Sequence, residues 1–131
     1  MTTLLYDSTF EGLMTAVFEV FEYKYDVVEI VAQQNYSQEN FFAETHEVIT
    51  DFTKSDRVLK KLEENLGKQG ISQLMMVYFS ERKDFERLIL SAVRHSIKHP
   101  KQNILQDFGN EDILEISKIC RSVSRERHRM L

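Results

Sequence analysis

Residues 3–24 read TLLYDSTFEGLMTAVFEVFEYK, and the period of the apolar residues changes inside them. Thr3 to Tyr6 form a short extended piece. From Phe10 onward the spacing becomes helical: Phe10, Leu13, Met14, Val17, Phe18 and Phe21 make one broad apolar stripe. Between the two lies a Ser-x-x-Glu pattern, Ser8 and Glu11. In a capping box each of these side chains satisfies a backbone N–H at the helix start. A core helix entered from an extended segment begins a mixed fold.

The rest of the chain continues that pattern. DVVEIVAQQN is short, β-branched and bounded by polar residues, so it reads as a strand near 26–33. AETHEVITD reads as another, near 45–51, and YSQENFF between them as a loop with two aromatic plugs. Thr53 and Asp56 suggest a second capping box, followed by a helix that ends at Gly67 in a left-handed cap. ISQLMMVYF is a short apolar helix. Ser80 is placed to cap the next, which carries Phe85, Leu88, Ile89, Ala92 and Val93 on one face and stops before Pro100. Asn110 caps a last helix that buries Ile113, Ile116, Cys120 and Val123. The expectation is an α+β fold, mostly helical: about five helices with a small antiparallel or mixed sheet, in one domain over 1–131.

Composition excludes several classes. Apolar and charged residues are balanced and glycine and proline are scarce, which argues against disorder. No apolar run approaches the roughly 20 residues needed to span a bilayer, so no membrane partner is expected. The single cysteine, Cys120, allows no intrachain disulfide and fits a reducing cytoplasm. On the apolar side of its helix it reads as a buried small hydrophobe. No glycine loop for phosphates and no cysteine cluster for zinc or iron–sulfur is present, and no cofactor is expected.

The histidines offer two metal-like spacings. His46 lies beside Glu44 and Glu47, and reads as an exposed strand residue. His95 and His99 are four apart on one helix, but Ser96 stands where a zinc protease has its glutamate. Near a helix C-terminus, both are suited to the negative end of its dipole. No metal site is assigned.

Charge is distributed unevenly. The formal net charge is −4, with thirteen acids against six Lys/Arg in residues 1–70 and eight against eleven in 71–131. The basic excess gathers in RSVSRERHRML (121–131). Arg121, Arg125 and Arg129 are spaced i, i+4, i+8 and line one helix face; His128 lies next to it and Lys118 is peripheral. A row of guanidiniums can engage successive phosphates with bidentate geometry. Neutralisation by acids of the same chain accounts for the pattern equally well.

Three stretches together resemble the DUF4130 family, bacterial proteins assigned to DNA metabolism or DNA repair. Tyr6, Asp7, Phe10, Glu11 and Gly12 match its opening run, with Ser8-Thr9 standing where the family usually has Gly-Ser. Thr50, Asp51, Lys54, Arg57 and Val58 match a second block, and Arg125, Glu126, His128, Arg129 and Met130 a third. The resemblance implies the N-terminal half of a longer family protein. Family members continue beyond the third block, so the last helix is expected to expose apolar residues such as Met130 and Leu131, which two copies of the chain could cover for each other. It also implies a context: relatives occur beside a radical SAM protein or fused to uracil-DNA-glycosylase-like domains.

The leading expectation is an accessory protein of DNA metabolism or repair, with Arg121, Arg125, His128 and Arg129 as the nucleic-acid face. A second is a module that docks a radical SAM or glycosylase-like partner. A third is part of an enzyme whose site needs a further region, with Glu126 and His128 as acid/base candidates. No residue is assigned a catalytic role.

Overall fold

The computed structural model describes residues 1–37 and 44–129, with no side chain described at 127–129. The chain forms two compact units, Met1–Lys60 and Lys61–Leu131.

The first unit holds a three-stranded sheet. Strand β1 (Thr2–Tyr6) is central, flanked by β2 (Val28–Ala32) and β3 (Glu44–Glu47). Both pairings are parallel, with Thr2 opposite Val28 on one side and opposite Glu44 on the other. The antiparallel or mixed sheet expected from the sequence is therefore corrected. The cause is the crossover: helix α1 (Phe10–Glu22) connects β1 to β2 and returns the chain to the same end of the sheet. Val48 N–H donates to Leu5 O at 2.8 Å and extends the β3 ladder by one residue. Phe41 and Phe42, the expected aromatic plugs, lie outside the described residues.

Helix α1 packs on β1 and β2. Leu13, Met14, Ala16, Val17 and Val20 are buried, as are Leu4 and Tyr6 of the central strand. Phe21, expected on the apolar face, is 38% exposed, while Glu19 is buried. The expected Ser8–Glu11 capping box does not form. Ser8 has φ 72°, and an N-cap needs extended backbone. Thr9, at φ −80° and ψ 156°, is the cap: its Oγ1 accepts from Gly12 N–H at 2.9 Å.

Helix α2 (Phe52–Ser80) begins in the first unit and continues into the second. Its N-cap is Asp51, whose Oδ1 accepts from Thr53 N–H at 2.9 Å and Lys54 N–H at 3.3 Å. Thr53 is thus already helical, and the expected Thr53–Asp56 box is displaced by two residues. Gly67 takes a left-handed φ of 74°, yet the chain re-enters the helix beyond it. The backbone at Gly67 (φ 74°, ψ 176°) is not helical, so α2 consists of two helical stretches that meet at a kink where the sequence placed a helix end; counted as one element, it gives four α-helices among the described residues rather than about five.

The second unit contains the rest of α2, with α3 (Phe85–Lys98) and α4 (Glu111–Arg129). Helix α3 packs on α4, and a short 3-10 turn at Ile104–Gln106 touches both. Leu88, Ile89, Ala92, Val93, Ile113, Ile116 and Ile119 are buried. Cys120 and Val123, expected inside, are only half-buried, because the buried stripe of α4 runs through Ile113, Ile116 and Ile119 and leaves them at its margin. Ser80 does not cap α3. It ends α2, donating to Val77 O at 2.6 Å, and α3 starts later behind Asp84. Among the described residues no helix is long and apolar enough to cross a membrane.

Candidate functional site

Helix α4 is built with opposite charges at its two ends. Asn110 caps it, accepting at Oδ1 from Asp112 N–H at 2.9 Å and Ile113 N–H at 3.2 Å. Glu111 and Asp112 occupy the first turn. Arg121 and Arg125 follow toward the C-terminus, so both charge signs complement the helix dipole. These two arginines are four apart, share a face and are exposed. Among the described residues neither forms an ion pair. The carboxylate that competed for Arg125, Glu126, instead lies 3.7 Å from Arg82 Nη2, which also donates to Ser122 Oγ at 3.0 Å. Lys118 is exposed. The side chains of His128 and Arg129, and all of Met130 and Leu131, lie outside the described residues.

The histidine spacings resolve into local contacts. His95 Nε2 lies 3.1 Å from Asp107 Oδ2, and the His95 and His99 rings meet edge to face at 5.0 Å. Among the described residues no three His, Cys, Asp or Glu side chains are placed to hold a metal. His46 is half-buried rather than exposed: Nε2 lies 3.5 Å from Glu19 Oε1, and the ring meets Tyr23 edge to face. Glu19 also meets Lys54 Nζ at 3.4 Å, and Lys54 reaches Glu22 at 3.3 Å. The Cys120 thiol is half-buried, its Sγ 3.5 Å from Gln73 O, and burial pushes its pKa up. A thiol held protonated is a poor nucleophile.

A second cluster was not assigned any role by sequence reasoning. Asp7, just past β1, takes two hydrogen bonds from Thr9: from N–H at 3.1 Å and from Oγ1 at 2.6 Å. Its other oxygen, Oδ2, accepts from Thr50 Oγ1 at 2.7 Å. Partial burial opposes the charge on Asp7, but these donors outweigh it and hold the pKa below the usual carboxylate value. Thr15, wholly buried in α1, donates to Glu11 O at 2.8 Å and accepts from Asp51 N–H at 3.1 Å. A β-carbon on Gly12 would collide with Asp7 Oδ1 and stand 3.0 Å from Thr50 Oγ1. Glycine suits the position because the carboxylate passes close over the backbone, and any side chain there would have to displace it. The carboxylate of Asp7 is thus fully engaged in joining α1 to the start of α2. The signal was present in the sequence only as two separated blocks, around residues 6–12 and 50–58.

Comparison of the chain with family models, curated proteins and solved structures finds no match.

Proposed function

We propose that this chain binds nucleic acid through the exposed face of α4, as an accessory protein of DNA metabolism or repair. One observation carries the reading: Arg121 and Arg125 stand on one face, exposed and without a carboxylate partner among the described residues. Arg87, by contrast, is engaged by Asp112 at 3.0 Å. Two uncommitted guanidiniums on successive turns suit a phosphate backbone.

The DUF4130 resemblance supports the context. Ser8, standing where the family has glycine, holds a left-handed backbone that glycine adopts without cost. Thr9, standing where the family has serine, is the helix cap. At Gly12 a side chain would crowd Asp7, Thr9 and Thr50. Those positions have structural reasons to be what they are, so the resemblance is consistent with a shared local fold.

The test is a binding titration with single- and double-stranded DNA at several salt concentrations. Arg121→Ala/Arg125→Ala should weaken binding to all sequences about equally, since phosphate contacts carry no base information. It should also flatten the salt slope by about one unit for each arginine that engages a phosphate. The fold should survive, because both side chains are exposed. A folded double variant with unchanged DNA affinity would refute the reading. That outcome would favour docking of a protein partner, for which one observation speaks: Ile49 and Phe52 stand 81% and 67% exposed on either side of Thr50-Asp51.

A further inference from the structure

The second unit contains a cleft of about 190 Å³ between α2, the turn after α3 and α4. Its lining is unusual in kind. Gln69, Gln73, Asn103 and Gln106, which carry carboxamides, line it together with Ser117 and the half-exposed Phe108. Leu105 and Ile116, both buried, also line it. No acid and no base is among the lining residues, so an ion finds no countercharge there. The size is below the roughly 300 Å³ at which pockets for drug-sized ligands begin, so one small ring system suits it.

Three of the four carboxamides are uncommitted, and the fourth caps the turn. Asn103 Oδ1 accepts from Leu105 N–H at 3.2 Å. The side chains of Gln69, Gln73 and Gln106 make no hydrogen bond to another described residue. A carboxamide presents one donor edge and one acceptor edge in a plane. That is the complement of a heterocycle edge, and glutamine or asparagine pairs with adenine in this bidentate way. An aromatic ring at the rim adds a stacking surface for the same ligand. The cleft is also placed beside the basic face: Ser117, Arg121 and Arg125 are spaced i, i+4, i+8 along α4, in one column.

We propose that this cleft receives a single unstacked nucleobase, adenine by preference, from a strand whose phosphates lie along Arg121 and Arg125. The proposal rests on the nucleic-acid reading of α4 for its strand, but the base site stands on the cleft's own chemistry. Gly70 lines the α2 side, where a β-carbon would crowd the Leu66 side chain and approach Leu105 Cδ1 to 3.3 Å, so a larger residue there would have to displace both leucines.

Two titrations test it. In the first, adenosine is added to nitrogen-15-labelled protein and the side-chain amide resonances are followed. Those of Gln69, Gln73 and Gln106 should move together. Gln73→Leu/Gln106→Leu should abolish the response, and the milder Phe108→Ala should weaken it about tenfold, as removal of a stacking ring does. Equal shifts from ribose alone, or shifts unaltered in both folded variants, would overturn the base site. In the second, a ten-nucleotide deoxyadenosine strand is compared with one of equal length lacking its bases. The intact strand should bind about tenfold tighter. Arg121→Ala/Arg125→Ala should weaken both strands alike and preserve that ratio. Equal, salt-dependent binding of the two strands would overturn the base site and leave the phosphate reading intact. Adenosine binding in the cleft without binding of either strand would uphold the base site and overturn the phosphate reading.

Discussion

Thr50 donates its hydroxyl hydrogen to Asp7 Oδ2 at 2.7 Å, joining residues 43 positions apart. The bond ties the end of the central strand to the segment that enters α2. Through Thr9 the same carboxylate fixes the cap of α1, so one side chain sets two helix starts in register with the sheet.

Gly12 is where this arrangement is most exposed to mutation. Gly12→Ala places a methyl group against Asp7 Oδ1, which cannot retreat without releasing Thr9 or Thr50. The expected cost is about 1–3 kcal/mol, the usual range for overpacking. Urea unfolding measures it. A variant as stable as the parent would mean that the node yields easily.

Asp7 should also shape the acid limb of the stability curve. Its pKa is lowered in the folded protein, so its contribution is fully present above the unfolded value of 3.8. It is lost as pH falls from there through the folded value. In Asp7→Asn the urea midpoint should therefore depend less on pH over that acidic window, and should lie lower than the parent's at neutral pH. Asp112 is lowered too: burial opposes its charge, but bonds from Ser91 and Arg87 prevail. Asp112→Asn should blunt the same limb. Parallel curves for parent and both variants would contradict the assignment.

The two candidate caps of α1 separate cleanly by mutation. Thr9→Ala removes the acceptor of Gly12 N–H and should cost about 1 kcal/mol. Ser8→Gly should cost less, because relief at φ 72° offsets loss of the 2.9 Å bond from Ser8 Oγ to Gln34. Thermal unfolding ranks them. The reverse order would return the cap to Ser8.

Glu19 and Lys54 should be coupled. The Glu19 carboxylate is buried, with Oε1 3.4 Å from Lys54 Nζ and Oε2 lacking a hydrogen-bond partner among the described residues. Lys54→Met leaves that charge without its cation and should cost about 1–3 kcal/mol, less than a fully buried pair because Lys54 is 25% exposed. Adding Glu19→Gln should recover part of the loss. A double-mutant cycle with no coupling energy would show the pair to be solvated.

Some of this architecture is local and was legible in the chain itself. The α1 stripe places Leu13, Met14 and Val17 inside because a helix repeats every 3.6 residues whatever surrounds it. Asn110 caps α4, α3 stops before Pro100, and Gly67 adopts positive φ, each for reasons within a turn of the residue. The α+β class followed from the same local signals. Other features depend on what the chain meets after closing on itself. Ser8 and Thr9 are both plausible caps by sequence; the sheet and Asp7 select Thr9 by forcing Ser8 left-handed. Strand direction was set by the path of α1, which returns β2 alongside β1 and makes the sheet parallel. The bond from Thr50 to Asp7 and the carboxamide cleft assemble residues from separate elements, and period and capping carry no information about such partners. Short-range sterics and hydrogen bonding therefore determined the elements, while long-range closure alone decided which side chains converge on a site.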